Sequence, residues 1–143
     1  MTQESITQEI IHRFENLELN SIDRLLALYD AQAIFKDPFN EVIGKPAIQK
    51  IFTHMFDQVD NPKFIVTKHM AADNQVCLTW EFCFNFKNSS ADQQVIKGCT
   101  WLTMSRELLI TEHRDYWDPA EELYEKIPLL GGFMRFLKKR LRA

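Results

Sequence analysis

Val76-Cys77-Leu78-Thr79-Trp80-Glu81-Phe82-Cys83-Phe84-Asn85-Phe86 is the most regular stretch of this chain. In extended backbone, successive side chains point to opposite faces, so Val76, Leu78, Trp80, Phe82, Phe84 and Phe86 share one face. Cys77, Thr79, Glu81, Cys83 and Asn85 share the other. One wholly apolar face against a mixed one is the pattern of a strand in an antiparallel sheet with one side buried.

The chain on either side extends this strand into a meander. Lys63 to Ala72 precedes it across the turn Asp73-Asn74-Gln75. A polar hairpin loop from Lys87 to Gln93, a strand from Gln94 to Met104 and a last strand from Leu108 to Asp118 follow it. Before the meander the period changes to that of helices. Ile6, Ile10, Ile11, Phe14 and Leu17 predict a helix from Ser5 to Glu18, with Ser5-Ile6-Thr7-Gln8 as a capping box. Ile22, Leu25, Leu26, Leu28 and Tyr29 predict a second helix, capped by Asn20 or Ser21 and ending near Asp30. Ala31 to Lys36 reads as a short strand stopped by Asp37-Pro38. Gly44-Lys45-Pro46 opens a third helix that buries Ile48, Ile51, Phe52, Met55 and Phe56, and Asp60-Asn61-Pro62 ends it. Beyond the meander, Pro119 opens a helix through Tyr124, Pro128 and Gly131-Gly132 interrupt it, and Phe133 to Arg142 forms a basic helix. Helices first and strands afterwards predict an α+β fold, with the helices covering one face of a bent antiparallel sheet.

At 143 residues, 45% of them hydrophobic, the chain suits a single domain over 1–143, with 119–143 as a helical extension. A formal charge of −3 argues against nucleic acid as a partner, because phosphate binding needs a concentrated positive surface. The three cysteines, Cys77, Cys83 and Cys99, form no CxxC pair and fit packing roles in a reducing compartment. Met1 to Glu9 lacks the basic start and apolar run of a signal peptide, which adds to the expectation of a cytoplasmic protein.

The chemistry concentrates in His113-Arg114-Asp115-Tyr116-Trp117-Asp118. Alternation puts His113, Asp115 and Trp117 on one face and Arg114, Tyr116 and Asp118 on the other. Asp115 reads either as a general acid/base or as a buried carboxylate that anchors the last strand through His113 or a backbone amide. Asp37 reads as a turn-forming carboxylate before proline or as a second catalytic one. No histidine and carboxylate stand at ligand spacing beyond this pair, so neither a metal nor a cofactor is expected.

The order of elements, the strand ending in Asp37-Pro38 and the closing run from His113 to Asp118 together resemble the nuclear transport factor 2-like superfamily, and within it the SnoaL-like group. The resemblance implies a cone-shaped sheet around a deep apolar cavity, usually in a homodimer, in a superfamily that holds both enzymes and non-enzymes. Asp37-Pro38 is similar to the proton-shuttling carboxylate of ketosteroid isomerases, but Phe14 and Thr100 stand where those enzymes place their oxyanion donors. Asp115 is similar to one aspartate of limonene epoxide hydrolases, whose other polar groups would fall near Trp80, Phe82, Phe35 and Asp37. His113-Arg114-Asp115 is similar to the histidine and acid/base aspartate of SnoaL-type polyketide cyclases.

The resemblance thus implies Asp115, His113 and Asp37 as catalytic residues, and Phe14, Phe35, Met55, Trp80, Phe82, Thr100 and Trp117 as the lining for a hydrophobic small molecule. Cofactor-free isomerase or cyclase chemistry and non-catalytic binding are the two functions it offers. Trp101, with Val95 and Cys99, predicts homodimerisation through the outer face of the sheet. The basic tail is expected to act as a lid that packs Phe133, Phe136, Leu137 and Leu141 over the cavity or a partner, in preference to contacting a membrane surface.

Overall fold

The computed structural model describes residues 1–88, 92–122 and 128–142, and the side chains of all of these except 128–130. The polar loop expected over Lys87 to Gln93 and the helix expected to reach Tyr124 fall partly outside the described residues.

Helix α1 (Gln3–Glu15) starts before the expected Ser5. The reciprocal cap is Thr2 with Ser5: the Ser5 backbone N–H donates to Thr2 Oγ1 at 3.1 Å, and the Thr2 N–H donates to Ser5 Oγ at 2.9 Å. Helix α2 (Ile22–Leu26) follows a 3-10 turn at Leu19–Ser21 and is shorter than its apolar spacing suggests. The chain becomes extended at Tyr29, so Tyr29 opens β1 (Tyr29–Lys36) instead of closing a helix. After Asp37-Pro38 comes a short strand that the sequence reading lacked, β2 (Glu41–Ile43). Helix α3 (Lys45–Gln58) begins as expected, with Gly44 at φ 94° and Pro46 in its first turn.

The meander is β3 (Val59–Ala72), β4 (Gln75–Phe86), β5 (Gln94–Met104) and β6 (Ile110–Tyr116). Asp60-Asn61-Pro62 does not separate α3 from β3 but lies inside β3. A bulge between Asp60 and Lys63, with Asn61 at φ 53°, absorbs the proline, and β3 is an edge strand, where a missing ladder donor is tolerated. The six strands are ordered β2-β1-β6-β5-β4-β3. All pairs are antiparallel except β1 with β6, which is parallel, a departure from the wholly antiparallel sheet expected. Helices α4 (Pro119–Glu122) and α5 (Pro128–Leu141) follow, and α5 runs through Gly131-Gly132, where a break was expected.

The concave side of the sheet receives Ile6, Ile10 and Phe14 of α1 and Ile48 and Phe52 of α3, all buried. Val76, Leu78, Trp80 and Phe84 of β4 are buried as the alternation predicts, whereas Phe86, at the strand end, is partly open. On this edge strand the Val66 N–H donates to Glu15 Oε2 at 3.0 Å, tying α1 to the edge of the sheet.

Trp80 pairs with Gly98 across β4 and β5, and the indole lies over that glycine. A Cβ at position 98 would stand 2.5 Å from a Trp80 ring carbon, so no other residue leaves the ring where it is. Gly98→Ala is expected to displace the indole and cost about 1–3 kcal/mol of stability. Urea unfolding followed by tryptophan fluorescence will measure both the loss and the changed environment of the ring.

Candidate functional site

The inward rungs of β5 and β6 build the site. Thr100 is the direct cross-strand partner of Asp115, Leu102 is that of His113, and Phe35 of β1 is the parallel partner of His113. Register alone therefore brings five inward side chains together. Trp80 joins diagonally: its Nε1–H donates to Thr100 Oγ1 at 2.7 Å, and the Thr100 hydroxyl donates to Asp115 Oδ1 at 2.5 Å.

His113 Nε2 lies 2.7 Å from the same Oδ1, and His113 Nδ1 lies 2.7 Å from the Tyr29 hydroxyl. One placement of protons suits all these atoms. Tyr29 donates to Nδ1, the Nε2–H donates to Asp115, and Asp115 Oδ1 accepts from both His113 and Thr100. An imidazolium would instead leave the Tyr29 hydroxyl hydrogen without an acceptor among the described residues. The chain Tyr29–His113–Asp115–Thr100–Trp80 is thus continuous and directed.

His113 is 3% exposed and lies among the rings of Phe14, Tyr29 and Phe35, with the Phe35 centroid at 4.5 Å. The Asp115 side chain is 19% exposed, and no hydrogen bond to its Oδ2 is made by the described residues. Burial, and secondarily the charge of Asp115, push the Tyr29 phenol well above its ordinary value.

Phe14, Phe52, Phe64, Val66, Leu78, Trp80, Thr100, His113 and Asp115 surround a cavity of ≈ 20 Å³. That volume holds about one water molecule and falls far short of a small-molecule pocket. A shallow cleft of ≈ 600 Å³ opens on the other side of Asp115, between Pro38, Arg114, Tyr116, Trp117, Asp118 and Pro119. Asp115 therefore stands in the wall between a nearly filled interior and an open cleft.

Of the ten residues singled out by the sequence reading, Phe14, Trp80, Thr100, His113 and Asp115 meet around the cavity. Phe35 backs His113 from behind. Phe82 packs between Phe64 and Phe84 at 4.7 and 5.2 Å, and Met55 packs half-buried on α3 against the core. Trp117 lies beyond the end of β6, edge-on to Phe39 at 5.5 Å, and lines the cleft instead of the cavity. Asp37 caps its own turn: Oδ1 accepts from the Phe39 and Asn40 backbone N–H groups at 2.8 and 2.7 Å, and Asn40 Nδ2 reaches both carboxylate oxygens at 3.1 Å.

Tyr29 was missed, along with Phe52, Phe64, Val66 and Leu78. The available signal was chemical: a tyrosine within an apolar run needs a polar partner for its hydroxyl once buried, and His113 is an inward-facing histidine.

Arg114 faces outward with its guanidinium 4.8 Å from the Tyr116 ring, and its buried Nε has no hydrogen-bond partner among the described residues. On the same outer face the Cys77 and Cys99 Sγ atoms meet at 3.2 Å; burial and the Cys77 thiol push Cys99 up to about 11.

Tyr29→Phe should leave His113 Nδ1 without its donor and cost about 1–3 kcal/mol near neutral pH. Above about pH 10 the unfolded chain releases the Tyr29 proton while the folded chain retains it, so wild-type stability falls as pH rises. The phenylalanine variant lacks this loss, and its deficit should narrow. Urea unfolding of both proteins at neutral and alkaline pH will show the convergence; the contribution of Cys99 is common to the two.

The SnoaL-like domain family matches residues 11–113 of this chain. None of the curated proteins matches it. Among solved structures, a protein with a ketosteroid isomerase-like fold from Catenulispora acidiphila, in complex with trimethylamine, superposes with a TM-score of 0.71 at 18% identity, covering 85% of this chain and 92% of the other. A SnoaL-like polyketide cyclase candidate from Shewanella putrefaciens gives 0.71 at 16% identity over 90% and 98%. An isomerase candidate from Bacillus subtilis gives 0.69 at 19% over 83% and 91%. Family match and fold agree with the curved sheet and the His113-Arg114-Asp115 run: the chain belongs to the SnoaL-like domain family, on the nuclear transport factor 2-like fold.

Proposed function

We propose that this protein is a cofactor-free acid/base catalyst of isomerase or cyclase type, acting on a hydrophobic carbonyl compound with Asp115 as the proton carrier. The observation that carries this reading is the asymmetry of the Asp115 carboxylate. Oδ1 is held by His113 and Thr100, Oδ2 has no hydrogen-bond partner among the described residues, and Asp115 lines an open cleft. A base so oriented spends no hydrogen bond of its own when it takes a proton from a substrate carbon. His113, backed by Tyr29, acts as the positioning residue. The names of the similar isomerase and cyclase candidates support the same chemistry.

The interior holds about one water by volume, so the bulk of the substrate lies in the cleft along Trp117 and Pro38, and its reacting end approaches Asp115. Asp37 is committed to its turn and serves to shape the cleft entrance.

A second reading, a non-catalytic homodimeric binding module, is favoured by one observation: the Trp80 and Thr100 donors are consumed within the chain of hydrogen bonds, leaving neither for an enolate oxygen. In either case Trp101 and Tyr116, about half exposed on the outer face of β5 and β6, are assigned to a homodimer contact.

Deuterium exchange into a panel of enolisable hydrophobic ketones separates the two readings. Wild type is expected to accelerate exchange at an α-carbon, and Asp115→Asn, which keeps an oxygen for His113 and Thr100, to reduce it about 10²- to 10⁴-fold while remaining folded by circular dichroism. Exchange that is absent in wild type, with a ligand retained through purification and identified by mass spectrometry, would favour the binding module. Trp101→Glu is expected to convert a dimer to a monomer in sedimentation velocity.

A further inference from the structure

Within the single chain, α5 does not pack its apolar face over the cavity. Phe133, Phe136 and Leu141 are 56%, 55% and 84% exposed, and α5 meets the body at α4, with Lys138 Nζ 4.0 Å from Glu121. An exposed apolar helix face calls for an occupant, and the charge of the chain indicates which.

The helix and its last residues carry Arg135, Lys138, Lys139, Arg140 and Arg142 with no acidic side chain. The chain before Pro128 holds 12 basic and 20 acidic residues, a formal −8 against +5 for the tail. The two chemistries are also segregated around the helix. At about 100° per residue, Phe133, Met134, Phe136, Leu137 and Leu141 occupy an arc of about 160°, and Arg135, Lys138, Lys139 and Arg142 an opposing arc of about 100°. Arg140 alone falls within the apolar arc, where a long stem can carry its guanidinium to the edge.

We infer that α5 docks on an anionic lipid bilayer, its apolar arc set into the headgroup boundary and its cations against the lipid phosphates. A helix with one apolar face, one cationic face and a length of 14 residues fits an interfacial position and is too short to span. The acidic body is repelled by the same surface, so the protein sits with α5 toward the bilayer and the rest of the chain away from it.

Sedimentation of the full chain with vesicles of phosphatidylcholine, with and without phosphatidylglycerol, tests this. Binding to the anionic vesicles is expected to exceed binding to the neutral ones by about tenfold or more and to fall at about 0.5 M salt. The variants Phe136→Glu and Lys139→Glu/Arg142→Glu, both outside the candidate site, should each reduce it while leaving the melting temperature unchanged. Equal binding to both vesicle types, no binding to either, or the same variants dissolving a self-association seen in sedimentation velocity would overturn the inference; the last would give the face to a second copy of the chain.

Discussion

A carboxylate, an imidazole, a phenol, a hydroxyl and an indole N–H share the inside of a largely aromatic cone, and each would be costly there alone. They coexist because each donor finds the next acceptor, from Tyr29 through His113 to Asp115 Oδ1 and back from Trp80 through Thr100. Removing any one member leaves a neighbour without its partner in largely buried surroundings. The tilt of His113 among three aromatic rings and the position of Trp80 over Gly98 follow from this requirement as much as from packing.

The sheet register makes the chain of hydrogen bonds geometrically available. Thr100 faces Asp115, Phe35 runs beside His113, and Trp80 can lie flat because residue 98 has no side chain. A slip of β6 by one residue would turn Arg114 inward and Asp115 outward, so the pattern of inward groups and the register hold each other in place. Asp115 lines both the cavity and the cleft, with Oδ1 bonded and Oδ2 without a hydrogen-bond partner among the described residues. The interior is otherwise nearly filled, and the larger open volume beside Asp115 is the cleft.

Much of this was legible in the residues. Period-two alternation in β4 identified the buried face, and the capping and proline signals located α1, α3 and the turn at Asp37. Two of the errors share a cause. Tyr29 continues the apolar spacing of α2 and Asp60-Asn61-Pro62 carries a stop signal, yet tertiary context overrode both local preferences; Gly131-Gly132 carries a break signal that α5 runs through, and no contact in the structure accounts for it. Tyr29 gains a buried partner by becoming extended, and Pro62 fits a bulge in an edge strand.

Local patterning by itself determined the α+β class, the strand that forms the inner wall, the pairing of His113 with Asp115 on one face, and the basic amphipathic character of the last helix. Those features depend on spacing along a single element, which the order of residues contains. The tertiary structure alone decided the parallel pairing of β1 with β6, the bond from Tyr29 to His113, the near closure of the cavity, the position of Trp117 outside it and the exposure of the apolar face of α5. These depend on how far apart elements lie once packed, and an interval of 84 residues between Tyr29 and His113 becomes a 2.7 Å contact only through the sheet that lies between them in sequence.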